Sequence, residues 1–245
     1  MSDSETTRPR TTRLSARTSR LTTPRTEWSP MAVGVTPFGE VGSGEVDWRG
    51  SLGLNTSHCT IVVVDVEGFG RYSRTNPNKI RIRRGMYRSL ELAFVEADIP
   101  WAACRQDDLG DGVLVLAPAH ISKTLFADLL VPALADELAA HNKVHRPAEQ
   151  IRLRLALHAG EVSYDDHGVI GSSLLHAHQL VDADELKTTL RESGAVLAVA
   201  ASDYFFDEVV RHSERSSAHA YRSVGTATGK AWIRLLTPSR RRRAG

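Results

Sequence analysis

The stretch that most constrains the fold is residues 60–70, where an apolar, β-branched run leads into a carboxylate and a glycine-bracketed turn. Such a run predicts a buried strand, which places Asp65 at the carboxyl end of that strand. Because an unpaired carboxylate is costly to bury, we expect Asp65 to lie at the rim of the core with a cation beside it. Gly68 and Gly70 leave the following backbone free to approach a ligand.

A second acidic turn lies in residues 104–116, where a glycine-containing segment joins two apolar runs. This pattern is typical of a β-hairpin, with Asp111 at or near its tip. Two aspartates on neighbouring strands would make an all-oxygen site of the kind that Mg²⁺ or Mn²⁺ prefers. The alternative is that both are ordinary turn residues, because aspartate is common in turns and at helix caps.

Length and charge narrow the classes of protein. With 245 residues, 41% of them hydrophobic, the chain can bury one substantial core and is too short for two large domains. The net charge is +2, but residues 1–30 hold six arginines against three acidic residues, and residues 240–243 are all arginine. The body is therefore net negative, which disfavours a folded nucleic-acid-binding face. The basic ends would make only weak, salt-screened contacts with polyanions.

Composition also divides the chain. We predict a disordered Arg/Ser/Thr-rich arm with a glycine-rich lead-in over residues 1–55, a folded domain over residues 56–236 and a basic tail over residues 237–245. Cys59 and Cys104 flank or lie within apolar strands, so we expect small core residues rather than a disulfide. No apolar run approaches the length of a membrane span, and the polar start does not resemble a signal peptide, so we expect a cytoplasmic protein.

The order of the predicted elements indicates the fold class. A strand, a long helix, a hairpin and a second helical stretch, bent or restarted at Pro132, precede residues 151–158, where leucines alternate with arginines and His158. That alternation predicts a strand with one buried and one charged face. Together with a helix over residues 171–180 and further strands, the order predicts an α+β, ferredoxin-like split βαβ palm, a mixed sheet with helices on one side. A doubly wound nucleotide fold is the alternative, disfavoured because residues 68–70 lack the third glycine of its fingerprint.

Four short motifs carry a family resemblance. They are Val-Asp-Val-Glu-Gly-Phe (64–69), Leu-Gly-Asp-Gly-Val-Leu-Val (109–115), Leu-Ala-Leu-His-Ala-Gly-Glu-Val (155–162) and Val-Ile-Gly-Ser-Ser-Leu-Leu-His-Ala (169–177). In this order and spacing, residues 58–236 resemble the catalytic domain of the class III adenylate/guanylate (nucleotidyl) cyclases.

The resemblance implies a metal and phosphate site. Two Mg²⁺ or Mn²⁺ ions would be held by Asp65, Asp111 and the backbone carbonyl of Val66, and would activate the ribose 3′-hydroxyl of a nucleoside triphosphate while neutralising the pyrophosphate. Lys230 resembles the triphosphate-binding lysine of the family. The remaining phosphate-binding positions are Glu67, Gly68, Phe69 and Gly70. The alternative for Phe69 is that its side chain anchors the core.

The base-selecting positions depart from the family pattern. Four residues before the second metal aspartate, the family places a lysine for adenine or a glutamate for guanine, and this chain has Asp107. A carboxylate accepts hydrogen bonds, and adenine N1 offers no N–H. The second base-reading position falls on Gly168, which has no side chain. The nucleobase is therefore undetermined, and Asp107 is alternatively a solvated turn residue.

The helix after Gly171 also departs from the family pattern. The family uses an Asn and, four residues later, an Arg to orient the ribose and stabilise charge on the α-phosphate, and these positions are Leu175 and Gln179 here. Losing one such donor typically costs about two to three orders of magnitude in rate. His176 and His178 could donate to phosphate when protonated, or could simply be packed polar residues.

Two functional hypotheses remain open. Because the family site forms between two protomers, the resemblance implies a homodimer or a heterodimer with another cyclase-like chain, which could supply the missing Asn and Arg. The first hypothesis is a domain that binds a metal–nucleoside triphosphate and converts it to a 3′,5′-cyclic nucleotide and pyrophosphate. The second is a catalytically silent nucleotide-binding or dimerisation module with a regulatory role.

Overall fold

A mixed sheet forms the centre of the protein in a computed structural model, which describes residues 55–237. Its strands are β1 (Asn55–Val66), β2 (Arg105–Asp108), β3 (Gly112–Pro118), β4 (Leu153–Asp165), β5 (Gly168–Ile170), β6 (Leu197–Ser202), β7 (Arg222–Thr226) and β8 (Gly229–Leu236). Their order in the sheet is β2-β3-β1-β4-β6-β8-β7, and β5 pairs with the end of β4. All neighbouring pairs are antiparallel except β4 and β6.

Six α-helices accompany this sheet in the described part of the chain. They are α1 (Asn76–Glu96), α2 (Lys123–Leu125), α3 (Val131–Val144), α4 (Ser172–Asp182), α5 (Asp184–Arg191) and α6 (Asp203–Glu208). A π-helical turn, Phe126–Leu130, joins α2 to α3. The predicted irregularity at Pro132 coincides with this junction, because Pro132 is the second residue of α3, directly after the π-helical turn.

The sheet buries both of its faces, which corrects the prediction of helices on one side. Successive residues of a strand point to opposite faces. Val62 and Val64 of β1 therefore join the larger core with α1 and α3, whereas Ile61 and Val63 join a smaller core with α4 and α5.

Because α4 and α5 cover this second face of the sheet, the environment of β4 differs from the predicted one. The predicted charged face of that strand carries Arg154, Ala156 and His158, which lie on the side covered by α4 and α5. Arg154 and His158 are therefore partly buried rather than fully exposed to solvent. Charged groups on this face must find partners inside the protein, because water reaches them poorly.

The cysteines match the prediction. Cys59 and Cys104 are free and buried, at 3% and 5% exposure. Burial raises the pKa of the Cys104 thiol to about 12, so it stays protonated and unreactive at neutral pH.

Several predictions concern the two ends of the chain. The arm and lead-in up to residue 54 and the tail from residue 238 lie outside the described residues, so their predicted character stays a prediction. Among residues 55–237, no helix has both the length and the apolar character needed to cross a bilayer. The expected cytoplasmic location stays a prediction.

Candidate functional site

The two aspartates predicted as metal ligands lie at the same end of the sheet. Asp65, near the end of β1, pairs with Gly112 at the start of β3, and the Val66 N–H donates to the Asp111 carbonyl at 3.0 Å. Glycine permits this close approach, because a Cβ at Gly112 would stand 2.1 Å from the Val64 carbonyl oxygen. The Asp111 side chain is exposed, whereas that of Asp65 is only 20% exposed.

The cation beside Asp65 is Arg154. The two residues are direct cross-strand partners on β1 and β4, and the guanidinium donates from Nη2 to Oδ2 of the carboxylate. Only 13% of the Arg154 side chain is exposed, and its Nε is buried with no hydrogen-bond partner among the described residues. Burial raises the pKa of Asp65, the Arg154 charge opposes this rise, and the Asp111 and Asp182 carboxylates add to it.

This donor set does not fit a two-metal site. Asp65 is already neutralised by a guanidinium, and the Val66 carbonyl accepts a turn hydrogen bond from Phe69 N at 3.2 Å. Within residues 55–237, no group of three or more His, Cys, Asp or Glu side chains is placed to hold a metal ion. Divalent ions such as Mg²⁺ need several oxygen ligands around one point, which a carboxylate bound to arginine does not offer.

Arginines of the chain itself flank the predicted phosphate loop. Buried Glu67 pairs with Arg152 at 3.0 Å and with Arg71 at 3.5 Å. Gly68 has a positive φ of +65°, and a Cβ there would come within 2.3 Å of the Arg71 Nε. The Arg71 guanidinium therefore lies against the backbone of this loop, with 57% of its side chain exposed.

The neighbouring positions of this loop also have structural roles. Arg74 donates to the Glu67 and Gln150 carbonyl oxygens, both at 3.0 Å, which ties the loop to the segment before β4. Phe69 packs against the larger core, with the Lys79 ammonium 5.9 Å from its ring centroid. Gly70 is exposed, and a Cβ added to it would have no atom within 4 Å.

Lys230 lies far from the aspartate pair within one chain. Asp65 pairs with Arg154, which in turn pairs with Ala198 near the start of β6. Lys230 is the second residue of β8, and its neighbour Ala231 pairs with Ser202 at the opposite end of β6. The strand register therefore separates it from the acidic end of the sheet.

Lys230 instead belongs to a local ion pair. Its Nζ lies 3.0 Å from Asp203 Oδ1 and 4.6 Å from the centroid of the Trp232 ring. The Trp232 Nε1–H also donates to Asp203, at 2.8 Å. These bonds to Trp232 and Lys230 lower the pKa of Asp203.

The two base-selecting positions also have internal partners. Asp107 lies on β2 opposite Leu114, and the Arg105 Nε donates to both of its carboxylate oxygens at 3.0 and 3.1 Å. Gly168 lies in the β4–β5 hairpin, where its N–H donates to Asp165 Oδ1 at 2.8 Å. Its φ of +154° is a conformation that side-chain-bearing residues rarely adopt.

The helix that carries Leu175 and Gln179 presents both residues to solvent. They lie one turn apart on the outer face of α4, and Leu175 is 65% exposed. Tyr204, at 47%, is a further exposed large apolar side chain near this helix, because its ring and that of His176 on α4 both lie against the His158 ring. We call Leu175 and Tyr204 the apolar patch.

A histidine beneath α4 connects this surface to the sheet. The His158 ring lies 4.9 Å from the His176 ring and 6.2 Å from the Tyr204 ring, centroid to centroid. Its Nδ1 lies 2.8 Å from the Ser202 hydroxyl, which also accepts a hydrogen bond from Phe205 N at 3.0 Å. Burial, with the nearby His176 and His58, lowers the pKa of His158 to about 4, so the ring is neutral at pH 7.

Sequence reasoning identified neither Arg154 nor Ser202 as a partner in this region. The signal for Arg154 was present, because the alternation in residues 151–158 places it on the face of its strand away from the leucines, and a cation was expected beside Asp65. Ser202 carries no such pattern, and its contact with His158 depends on the parallel pairing of β4 with β6.

Comparison with known proteins agrees with this architecture. No family model and no curated protein sequence matches the chain. Among solved structures, the adenylate/guanylate cyclase/hydrolase from Silicibacter pomeroyi is 15% identical, covers 76% of this chain and 100% of its own, and has a TM-score of 0.52. The guanylyl cyclase Cya2 is 16% identical, with coverages of 78% and 98% and a TM-score of 0.52.

The adenylyl cyclase CyaB from P. aeruginosa is 12% identical, with coverages of 78% and 98% and a TM-score of 0.50. At such low identity these likenesses concern the fold alone. The predicted α+β fold is confirmed, and the described domain has the architecture of a nucleotidyl cyclase catalytic domain.

Proposed function

Starting from a cyclase-type fold, we propose that this protein is a catalytically silent cyclase-like module, which acts by pairing with a second cyclase-like chain, most simply its own copy. The observation that carries the proposal is the ion pair between Arg154 and Asp65. The guanidinium occupies the carboxylate that the resemblance assigns to a divalent ion, which supports the proposal. The pair is largely buried, so moving Arg154 aside would leave a poorly solvated charge without a partner.

The α4 positions support the same conclusion. Leu175 offers no hydrogen bond to a ribose, and Gln179 offers a neutral amide where an arginine would stabilise charge on a phosphate. If each lost donor reduces the rate by about two to three orders of magnitude, chemistry would be very slow even with metal bound. Both changes remove function without disturbing the fold, because the two side chains face solvent.

The apolar patch indicates what the surface of α4 does instead. Exposed Leu175 and Tyr204 are unfavourable in water and favourable in an interface. In the cyclase family this helix contributes to a site shared between two protomers. We therefore assign the apolar patch to the surface on which the second chain docks.

The proposal is tested with purified full-length protein. We expect no cyclic nucleotide from ATP, GTP, CTP or UTP in the presence of Mn²⁺, measured by mass spectrometry. Light scattering after size exclusion should show a dimer. Formation of a cyclic product that disappears in an Asp65→Ala variant would overturn the assignment as a silent module, and a monomer at all concentrations would overturn pairing with its own copy.

A second candidate function is supported by the retained acidic pair. Asp65 lies on β1 and Asp111 in the turn directly before β3, at the same end of the sheet and close enough for the Asp111 charge to act on Asp65. If a partner supplied the missing donors and Arg154 turned away, a metal–nucleoside triphosphate could bind there. Thermal stabilisation that needs both Mn²⁺ and a nucleoside triphosphate, and is lost in Asp65→Ala, would favour this candidate.

A further inference from the structure

A separate groove lies on the other side of the sheet, between α1 and α3. Its volume is about 530 Å³, within the range of small-molecule sites. Helix α1 contributes Arg81, Arg84 and Arg88, and α3 contributes His141, with His145 directly after its end. Because α1 and α3 belong to the larger core and α4 to the smaller, this groove is separated by the sheet from the apolar patch.

The arginines of this groove differ in their availability. They follow one another at three- and four-residue steps, so all three lie on one face of α1. Arg81 is held by Glu149 at 2.9 Å. Arg84 and Arg88 are at least partly exposed, and in the part of the chain that the structure describes neither forms a salt bridge or a hydrogen bond. Two adjacent guanidiniums are therefore left for a ligand.

The opposite wall is formed by two stacked histidines. The rings of His141 and His145 lie 3.7 Å apart at an angle of 11°. His141 Nε2 contacts the Glu149 carbonyl at 3.2 Å, and His145 Nδ1 contacts the His141 carbonyl at 2.7 Å. A carbonyl only accepts, so these nitrogens carry the hydrogens, and the other nitrogen of each ring has no such anchor among the described residues.

Gly85 lets the histidine wall approach α1. A Cβ at Gly85 would stand 2.4 Å from the His141 Cε1, so any side chain there would displace the ring. The charged groups that line the groove are three arginines and one carboxylate, that of Glu137, which leaves an excess of positive charge. Leu92 and Val144, 42% and 78% exposed, add apolar surface at its edge.

We propose that this groove binds a small phosphate-bearing molecule, with Arg84 and Arg88 holding its phosphate groups. Guanidinium groups bind phosphate oxygens through paired, charge-assisted hydrogen bonds, and two of them one helical turn apart suit two linked phosphates. Leu92 and Val144 would contact an apolar portion of the ligand. The proposal is independent of the proposed function, because it uses no residue of the acidic end of the sheet or of the apolar patch.

The test is calorimetric titration of the full-length protein in about 0.15 M salt, where non-specific charge effects are screened. The probes are inorganic pyrophosphate and ATP, both without added metal. We expect saturable binding that is weakened at least tenfold by the double variant Arg84→Gln/Arg88→Gln. Arg191→Gln, which removes an exposed charge from α5 on the other side of the sheet, is the matched control and should leave binding unchanged.

The titration has results that support the proposal and results that overturn it. Binding of both probes supports the proposed phosphate site and a nucleotide ligand. Binding of pyrophosphate alone supports the site and a simpler phosphate ligand. No saturable binding of pyrophosphate, or equal weakening by Arg191→Gln, overturns the proposal. Circular dichroism melting of the double variant shows whether it is folded, and binding that the folded double variant retains in full also overturns the proposal.

Discussion

Arg154 and Asp65 face each other across β4 and β1, and the guanidinium of the first binds the carboxylate of the second. The pair lies beside Asp111, at the end of the sheet where the sequence predicts the divalent ions. A buried carboxylate needs a positive partner, and an arginine on the neighbouring strand satisfies that need without a metal. The fold is thus kept while, in the function that we propose, its metal chemistry is blocked by a residue of the chain itself.

Removing the arginine should convert this pair into a weak metal site. In Arg154→Ala, Asp65 loses its partner, and we expect the free energy of unfolding to fall by about 3 kcal/mol. Added Mn²⁺ should recover part of that loss, because Asp65 and Asp111 are then free to bind it. Urea unfolding with and without Mn²⁺ measures both effects.

The matched control for that experiment is Arg154→Ala combined with Asp65→Asn. It lacks both charges of the pair and should show no Mn²⁺ effect. Equal stabilisation of the wild type and both variants by Mn²⁺ would show that the ion acts elsewhere.

The apolar patch should control self-association. Leu175→Asp places a charge on this surface, and we expect the dimer dissociation constant to rise at least tenfold, as judged by sedimentation equilibrium. Val95 on α1 is 73% exposed and lies outside the patch, so Val95→Asp is the matched control and should associate normally. Identical behaviour of the two variants would remove the patch from the interface.

His158 should make the protein sensitive to mild acid. Its pKa is lowered from 6.5 to about 4 in the folded state, so the unfolded chain binds the proton first as pH falls. Stability should therefore decrease between about pH 6.5 and pH 4, and change no further below that range through this group. Because the ring is only partly buried and solvent screens its charge, we expect a total loss on the order of 1–2 kcal/mol. Urea unfolding at several pH values should show a shallower slope in His158→Asn, and an unchanged slope would assign the acid sensitivity to other groups.

The contact between β1 and the β2–β3 hairpin should depend on Gly112. In Gly112→Ala the new Cβ would collide with the Val64 carbonyl oxygen at 2.1 Å, so the backbone must shift. We expect the free energy of unfolding to fall by about 1–3 kcal/mol, the range for overpacked sites. Gly194→Ala, which has no atom within 4 Å of the added carbon, is the control and should change the urea midpoint little.

Much of the architecture was predictable because its signals are local. The apolar run before Asp65, the acidic hairpin turn around Asp111 and the alternation in residues 151–158 each lie within one element, and each element formed where it was predicted. We expected the first hairpin strand to run from Trp101 to Gln106, but β2 is shorter and starts later, since residues 101–103 form a 3-10 turn. The proximity of Asp65 and Asp111 followed from the hairpin expectation combined with the family resemblance.

The sequence by itself determined that Asp65 ends a buried strand and needs a cation, because hydrophobic periodicity and the cost of burying charge are properties of a short segment. Only the tertiary structure decided which cation that is. Arg154 lies 89 residues away in the chain, and it meets Asp65 because β4 pairs with β1 in one register. A shift of one residue would turn Arg154 to the other face, and register is set by the packing of both cores rather than by either strand alone.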